Sequence, residues 1–263
     1  MTAASLTRPP AARRGLATLT GTEFKLFLRD PSAVFFALAF PTVVLLGIGY
    51  LIPGARDFVT GVPGLEGVRV VHLWGPVVLS TAIATTGLVT LPSMVAGYRE
   101  QGIFKRLATT PMRPGGVLLS HMVVSGVALV AAIVLAVATG MVALGIRIPA
   151  SWPLLLLTLV LATVAMFSVG MIIAGLAPKA STASAIGTLV YFPMLFFAGM
   201  WMPMELMPDV VAAIASWTPL GAASLALNDT WFGTGTPWRE LAVIAGYALV
   251  AFPLAARLFR WEA

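Results

Sequence analysis

Apolar residues fall in six long runs along the chain, and polar and charged residues gather in the segments between them. Each run is close to the about 20 residues that a helix needs to cross a hydrocarbon core about 30 Å thick. A charge at the centre of such a helix costs about 2.5–3.5 kcal/mol, and every acidic or basic residue lies outside the runs or at their ends. The pattern predicts six transmembrane helices: 33–52, 75–97, 117–145, 154–177, 181–202 and 238–256.

Composition agrees with this pattern, since 59% of the residues are apolar and 10% are charged. Soluble domains average about 45–50% apolar and about 25% charged residues. Too few ionisable groups remain to cover a water-facing surface, which excludes a soluble enzyme and disfavours the buried core helices of a large soluble protein. The chain has no cysteine, so it has no disulfide framework and no cysteine-based metal site. We expect an all-α polytopic membrane protein.

The formal net charge of +6 is spread unevenly between the two sides of the predicted bundle. Twelve of the sixteen Lys and Arg residues lie in the N-terminal segment, the second and fourth loops and the C-terminal tail. Cytoplasmic loops carry the excess of Lys and Arg, so both termini are predicted to be cytoplasmic, as in a multi-pass protein of a bacterial plasma membrane. Topology explains the basic charge, and no nucleic-acid partner is expected.

Residues 16–30, ahead of the first predicted span, vary with a helical period. The pattern is typical of an amphipathic helix in the membrane interface; a polar extension of the first span is the alternative. Residues 1–15, with Pro9 and Pro10, are expected to form a disordered cytoplasmic tail, followed by a single transmembrane domain over 16–263. The less polar face of the predicted helix is Leu16, Thr20, Phe24, Phe27 and Leu28.

The second predicted loop, residues 98–114, combines an apolar edge with a strongly charged one and ends near two prolines. Two interpretations remain open on periodicity alone. The segment is either a short cytoplasmic helix whose apolar edge inserts into a groove on a partner, or a solvated loop rich in positive charge. The apolar edge is Ile103, Phe104 and Leu107, and the charged edge is Arg99, Glu100, Lys105 and Arg106.

The longest connection on the outer side, residues 203–237, precedes the last predicted span. Two short helices are predicted here, 204–210 and 211–217, closed by Pro203, Pro208 and Pro219. Short helices at the outer surface are therefore expected, with an ordinary surface loop as the alternative. The tryptophans of this region suit the aromatic belt at the membrane surface.

Aromatic and methionine side chains concentrate at the outer end of the fifth predicted span. We expect them to form an adaptable apolar lining for an amphiphilic substrate, with contact to lipid as the alternative. Thioethers also bind Cu(I), but the chain has no cysteine and its two histidines are distant in sequence, so no metal site is expected. The candidate substrate-path residues are Tyr191, Phe192, Phe196, Phe197, Met200 and Met204.

Some classes of mechanism are disfavoured by the residues present. No Asp, Glu, Lys or Arg lies in the central part of a predicted span, whereas ion-coupled carriers bury such groups for the ion to visit. His121, near the cytoplasmic end of the third span, is interpreted as hydrogen-bonded structure rather than as a proton relay. The sequence contains no G-x-x-x-x-G-K-[ST] phosphate loop, so an ATP-driven mechanism requires a second polypeptide.

Three motifs, taken in order, resemble those of ABC type-2 transporter permeases. With the six predicted spans and the chain length, the resemblance covers nearly the whole chain, and it is strongest to small drug-exporter permeases. The motifs are Arg29-Asp30-Pro31; Arg99-Glu100-Gln101-Gly102 with the following Lys105-Arg106-Leu107-Ala108-Thr109-Thr110-Pro111; and the Pro-x-Glu-x-x-Pro run from Pro203 with the following Trp217-Thr218-Pro219-Leu220.

The resemblance implies a fold and partners. It implies six transmembrane helices with an N-terminal interfacial helix that connects to them, a cytoplasmic coupling helix that seats in a separate ATPase, and short extracellular helices before the last span. A homodimer of permeases would work with two ATPase subunits, which bind ATP and Mg, while this chain itself holds no cofactor and is not an enzyme. The implied ATPase-coupling residues are Arg99, Glu100, Gly102, Ile103, Phe104, Lys105, Arg106 and Leu107.

The function implied by the resemblance is ATP-driven export of a hydrophobic or amphiphilic substrate, such as a drug, a natural product or a lipid. An apolar interior favours such substrates over polysaccharides or small ions. Two alternatives remain open: a polytopic membrane protein without an ATPase, such as an assembly factor or a passive channel, and an ion-coupled carrier.

Overall fold

The structure is a computed structural model that describes residues 11–29, 31–59, 67–103, 114–202, 204, 207–233 and 235–258. These ranges are mainly helical, and their β pairing is limited to one isolated antiparallel bridge between Phe58 and Arg69. The helices are α1 (Ala11–Arg29), α2 (Pro31–Val34), α3 (Phe40–Leu51), α4 (Val70–Ala84), α5 (Leu91–Glu100), α6 (Pro114–Leu144), α7 (Trp152–Leu176), α8 (Ala180–Phe197), α9 (Asp209–Ala215), α10 (Pro219–Phe232) and α11 (Trp238–Leu258).

Two π-helical segments join neighbouring helices into longer ones. The first π segment, Phe35–Ala39, lies between α2 and α3, and the second π segment, Thr85–Thr90, lies between α4 and α5. A π turn contains one residue more than an α turn, so it widens the helix locally, and such turns are frequent at functional sites.

Five helices of the described ranges are long and apolar enough to cross a membrane, and counting the bent pair of α9 and α10 as one span gives six. Each of the five corresponds to one predicted span. The first predicted span, 33–52, contains the shorter apolar helix Phe35–Leu51. The chain is therefore an all-helical multi-pass protein with five to six candidate spans, the five being Val70–Glu100, Ser120–Leu144, Trp152–Leu176, Ala180–Phe197 and Trp238–Leu258.

Helix α8 ends at Phe197, five residues before the predicted end of the fifth span. Gly199 has φ +91°; its N–H donates to the carbonyl of Phe196 at 3.1 Å, and the N–H of Met200 donates to the carbonyl of Leu195 at 3.2 Å. This bonding pattern is the Schellman motif, in which a left-handed residue allows the last carbonyls of a helix to be satisfied. Apolar residues continue beyond the motif, so hydropathy alone placed the helix end too late.

Two short helices precede the last span, and α9 and α10 are bent by 101° relative to each other. The predicted bounds of 204–210 and 211–217 are wrong, because α9 begins after Pro208 and α10 begins at Pro219. The Thr218 side chain accepts a hydrogen bond from the N–H of Gly221 at 3.1 Å. Thr218 is thus the N-cap of α10, and proline at the first helical position fits the same start signal.

The Val70–Glu100 helix is the centre of the bundle, because 72% of its apolar window is buried. It packs against α3, α6, α7, α8 and α10. Four of its buried or half-buried hydroxyls donate to the carbonyl four residues earlier, which keeps them paired within the helix. These bonds are Ser80 to Pro76 at 3.1 Å, Thr81 to Val77 at 2.9 Å, Thr85 to Thr81 at 2.8 Å and Thr86 to Ala82 at 2.9 Å.

Glycines in α7 and α8 allow the second π segment to approach closely. A Cβ added to Gly170 would meet the carbonyl oxygen of Gly87, and one added to Gly187 would meet the carbonyl oxygen of Leu88. The corresponding carbonyl carbons would lie 3.0 Å and 3.1 Å from those Cβ positions. The obstructing atoms belong to the backbone, so a side chain at either glycine would fit only if the helices shifted.

Helix α1 begins at Ala11, so it includes the last part of the segment predicted to be a tail, and residues 1–10 lie outside the described ranges. It packs against α6. Glu23 and Phe27 are each 8% exposed, whereas Leu26 and Leu28 are about half exposed. One face of α1 therefore packs on the bundle, and another carries exposed apolar side chains.

Candidate functional site

Arg99 and Glu100, at the end of α5, both bind the turn between α7 and α8. The Arg99 Nη1 donates to the carbonyl oxygen of Gly175 at 3.3 Å, and the Glu100 Oε2 accepts from the backbone N–H of Ala180 at 3.1 Å. Gly175 lies in the last turn of α7, and Ala180 is the first residue of α8. We call this pair of contacts the Arg99–Glu100 clip.

Each member of the clip lies at the helix end that suits its charge. The last turn of a helix has free carbonyls and a partial negative charge, and the first turn has free N–H groups and a partial positive charge. Lys179, the N-cap of α8, makes no side-chain capping bond, so Glu100 supplies an acceptor that the turn itself does not. A matching charge at a surface helix end contributes about 0.3–1 kcal/mol. The clip thus connects α5 to two spans at once.

The predicted coupling segment continues from the clip. Gly102 has φ +68°, a conformation that glycine adopts at low cost, and its N–H donates to the carbonyl of Arg99 at 3.0 Å. This turn ends α5, and Ile103 after it is half-buried. Of the eight predicted coupling residues, four are therefore placed next to one another at this end of the bundle. The other four, Phe104, Lys105, Arg106 and Leu107, lie outside the described ranges.

A buried polar cluster connects α1 to the spans on either side of the second loop. The Tyr98 hydroxyl donates to Glu23 Oε2 at 2.8 Å, and His121 Nε2 lies 3.6 Å from the same oxygen. The Tyr98 and His121 rings meet edge to face, with centroids 4.5 Å apart. Beside them, the Thr20 hydroxyl donates to the Ser120 hydroxyl at 3.1 Å. His121 is therefore part of a polar contact between helices.

Glu23 belongs to none of the motifs in the sequence and is not among the predicted site residues. Glu23 lies three residues after Thr20 and four before Phe27, so the three residues share one stripe of α1. That stripe, rather than the Phe24–Leu28 side, is the one that packs on the bundle. The signal in the sequence is an acid that is flanked on its own helical face by the uncharged residues Thr20 and Phe27.

A cavity of about 460 Å³ lies between α1, the first π segment and the Val70–Glu100 helix. We call it the inner cavity. Its polar groups include Glu23, Tyr98, Ser93, Thr90 and Thr85. The rest of its wall is apolar, formed by Leu26, Phe27, Phe36, Val89 and Met94.

Both π segments border the inner cavity. Phe36 belongs to the first π segment, and Thr85, Val89 and Thr90 belong to the second. The extra residue of a π turn displaces the side chains and carbonyls next to it from an α-helical arrangement. Neither π segment was predictable from hydropathy, which depends on the length of an apolar run and not on the number of residues in each turn.

The predicted substrate-path residues fall into separate environments. Tyr191 is 9% exposed and its hydroxyl is 2.9 Å from that of Thr85, which lines the inner cavity. Met200 also faces the Val70–Glu100 helix: its carbonyl accepts from Trp74 Nε1 at 3.1 Å, and its sulfur lies 3.7 Å from the Thr81 hydroxyl oxygen. These two residues face the centre of the bundle.

The other four candidate residues lie elsewhere. Phe192 and Phe196 are 53% and 44% exposed, so they face outward from the chain. Phe197 and Met204 pack with Met207 in a small apolar cluster beneath α9. The six residues therefore do not form one continuous lining within a single chain. Among the described residues no group of three or more His, Asp or Glu side chains is arranged to hold a metal ion.

The sequence is similar to known membrane transport proteins. The profile of the ABC-2 type transporter family matches residues 14–227. The chain is also 24% identical, over 229 residues, to a Bacillus subtilis (strain 168) protein named as a transport permease, YvfS. That alignment covers 87% of this chain and 90% of the Bacillus protein.

Proposed function

Since the chain belongs to the ABC-2 type transporter family, whose permeases in general work with an ABC ATPase, we propose that it is the membrane subunit of an ATP-driven exporter. A separate ATPase would supply the energy, and a hydrophobic or amphiphilic substrate would leave the cytoplasm. The observation that carries the proposal is the Arg99–Glu100 clip, because it joins the segment resembling a coupling helix to two spans.

The proposed topology has six spans, both termini in the cytoplasm and one transmembrane domain over residues 16–263. The helical stretch from Pro31 through Leu51 would be the first span. At 1.5 Å per residue, a helix over 31–51 extends about 30 Å, which is enough for the hydrocarbon core. The positive-inside distribution of Lys and Arg supports this orientation. In the proposed orientation α1, the clip and the coupling segment would lie on the cytoplasmic side.

The clip gives the coupling segment a mechanical connection. An ATPase that moves residues 99–107 displaces the Arg99 and Glu100 side chains, and these hold the end of α7 and the start of α8. Because the two helices meet at a turn of three residues, 177–179, a single displacement acts on both. The proposed docking contacts are the basic side chains Arg99, Lys105 and Arg106, with Ile103, Phe104 and Leu107 as the apolar contact.

The proposed assembly contains two permeases and two ATPases. Helix α8 supports a permease dimer, because only 22% of its apolar window is buried, the lowest share among the five candidate spans. The chain has no cysteine, so a single introduced cysteine reports contacts cleanly. We expect Leu189→Cys, 74% exposed on α8, to form a disulfide dimer in membranes, and Leu249→Cys, 75% exposed on α11, to stay monomeric as the control. Equal cross-linking of the two would contradict a dimer through α8.

The proposed exit path follows the outer half of α8. Tyr191 and Met200 would border its inner part, Phe192 and Phe196 would face the partner permease, and Phe197 and Met204 would support the outer end. Replacement of Phe192 and Phe196 by Ala is expected to change substrate export with assembly unchanged. Unchanged export in this double variant would remove them from the path.

The decisive experiment on the proposed function is Glu100→Gln, with Glu240→Gln as the matched control on the opposite side. Permease and ATPase are co-expressed, purified and reconstituted, and substrate-linked ATP turnover is measured. We expect a stoichiometric ATPase to co-purify with every variant, and turnover to fall about fivefold in Glu100→Gln only, the factor equivalent to about 1 kcal/mol at a helix terminus.

Two outcomes would contradict the proposal. Full coupling in Glu100→Gln would show that the clip does not transmit the motion. Absence of any co-purifying ATPase, or transport that is insensitive to vanadate but stops with a proton uncoupler, would favour the protein without an ATPase or the ion-coupled carrier instead.

A further inference from the structure

We propose that the inner cavity is the loading site for a cationic amphiphile, a molecule with an ammonium group on an apolar body, and that Glu23 is its anionic contact. This inference rests on the proposed function and names the substrate class for it. It is carried by the charge, the depth and the opening of the cavity.

The charge of the cavity comes from Glu23 alone among its lining residues. The Glu23 side chain is 9% exposed, and within the part of the chain that the structure describes no Lys or Arg pairs with it. Its contacts there are the Tyr98 hydroxyl and, at 3.6 Å, the His121 ring. Burying a carboxylate without a permanent cation is costly. A bound ammonium group would supply the missing positive charge. Its N–H groups, where it has them, would also donate hydrogen bonds to the carboxylate.

The depth of the cavity matches an amphiphile in the inner leaflet. Along the Val70–Glu100 helix its lining extends from Tyr98, near the cytoplasmic end, to Thr85, a distance of about 20 Å at 1.5 Å per residue. Glu23 lies at the Tyr98 end, and the apolar Val89 and Met94 lie deeper. The polar head of an inserted molecule would therefore meet the acid at the interface while its body follows the apolar wall. A cavity of about 460 Å³ is within the about 300–1,000 Å³ of sites that hold drug-sized ligands.

The inner cavity has an opening at its rim and a connection to the proposed exit path at its deep end. Leu26 and Phe36, on its rim, are each 52% exposed, so it opens between α1 and the first π segment on an apolar surface that a membrane would cover. At its deep end, the Thr85 hydroxyl is hydrogen-bonded to that of Tyr191, the first residue of the proposed exit path. Both π segments border this region, so its walls contain helical backbone that departs from α geometry.

The ammonium group has two possible sources, a free amphiphile from the cytoplasm or a lipid with an amine head group. The same recognition chemistry serves both, since each offers a cation joined to an apolar body. The experiment separates them by the lipid composition of the membrane.

Binding is measured on the full-length permease in nanodiscs of digalactosyldiacylglycerol, an uncharged lipid without an ammonium group, in the absence of ATPase and nucleotide. The probes are a pyrene-labelled primary alkylammonium and the pyrene-labelled alkyl sulfonate of equal length. We expect the cationic probe to bind at least about tenfold more tightly than the anionic one, a ratio that one charge-assisted contact sustains. Glu23→Gln should abolish this preference, Glu23→Asp should retain most of it, and Glu240→Gln should leave it unchanged. Met94→Trp, which fills the cavity away from Glu23, should weaken both probes.

If Glu23 had a purely structural role, its replacement would not change the preference for the cationic over the anionic probe. The Met94→Trp variant tests the cavity independently, even if Glu23→Gln folds poorly. Loss of cationic binding in nanodiscs that contain phosphatidylethanolamine identifies the lipid as occupant; retained binding that dodecylamine displaces identifies a free amphiphile. Equal binding of the cationic probe by wild type, Glu23→Gln and Met94→Trp would overturn the proposal. Because the binding experiment contains no ATPase, that result would not contradict ATP-driven export. Conversely, failure of an ATPase to co-purify would contradict ATP-driven export without affecting the binding result.

Discussion

The close approach of the second π segment to α7 makes Gly170→Ala the sharpest test of the packing. The added methyl group would meet the carbonyl oxygen of Gly87, with the carbonyl carbon at 3.0 Å and Pro92 Cγ at 3.2 Å. None of these atoms is the end of a flexible side chain. The steric overlap is therefore relieved only if the Val70–Glu100 helix and α7 move apart where they are in contact.

The magnitude follows from two opposing contributions. Alanine is favoured over glycine within a helix by about 0.5–1 kcal/mol, whereas an extra methyl group in a tightly packed interior costs about 1–3 kcal/mol. Gly126→Ala in α6 shares the first contribution but not the second, because nothing lies within 4 Å of its Cβ position. The difference between the two variants isolates the steric cost, and we expect Gly170→Ala to be less stable than Gly126→Ala by about 1–3 kcal/mol.

The assay is unfolding of the purified permease in nanodiscs, followed by thermal midpoint and by denaturant titration. For a chain of this size about 1 kcal/mol shifts the midpoint by about 2–4 °C, so a difference of at least about 2 °C between the two variants is expected. Gly187→Ala, against Leu88, should behave like Gly170→Ala. Equal midpoints for Gly170→Ala and Gly126→Ala would refute the close packing of the π segment.

Three further substitutions are expected to lower stability, each measured as the thermal midpoint in nanodiscs against wild type. Trp74→Phe removes the donor to the carbonyl of Met200 and should cost about 1–3 kcal/mol, because that carbonyl loses its partner inside the protein; an unchanged midpoint would mean that another donor replaces it. Thr218→Val keeps the shape of the side chain but removes the cap of α10, for an expected loss of about 1 kcal/mol; no loss would show that Pro219 alone fixes the helix start. Tyr98→Phe deprives the buried Glu23 of its donor and should cost about 1.5–3 kcal/mol, and a stability equal to wild type would argue against the contact.

The positions of most spans were predictable from sequence, because crossing a membrane requires an uninterrupted apolar length. The same criterion says little about how a helix is built or where it stops. The apolar-length criterion did not detect either π segment. It also extended the fifth span beyond Gly199, where a left-handed glycine ends α8 although apolar residues continue. Helix ends depend on a few backbone hydrogen bonds, which hydropathy does not measure.

The candidate site was predictable only where a motif existed. The resemblance singled out Arg99 and Glu100, but periodicity gave no reason to expect that they bind Gly175 and Ala180 of their own chain. Glu23 belongs to no motif, and its partner Tyr98 lies 75 residues away in sequence. Contacts between distant segments come from the packing of helices, so a single sequence without homologues does not reveal them.

The internally bonded hydroxyls of the Val70–Glu100 helix bear on how the protein is made. This helix is synthesised before α7, α8 and α10, which later cover it, and lipid offers no hydrogen-bond partners to an exposed polar group. Because the hydroxyls of Ser80, Thr81, Thr85 and Thr86 are already bonded to the helix's own carbonyls, the helix can leave the translocon without waiting for its neighbours. Of the five candidate spans in the described residues, the one that becomes most enclosed thus enters the bilayer with these four hydroxyls already paired.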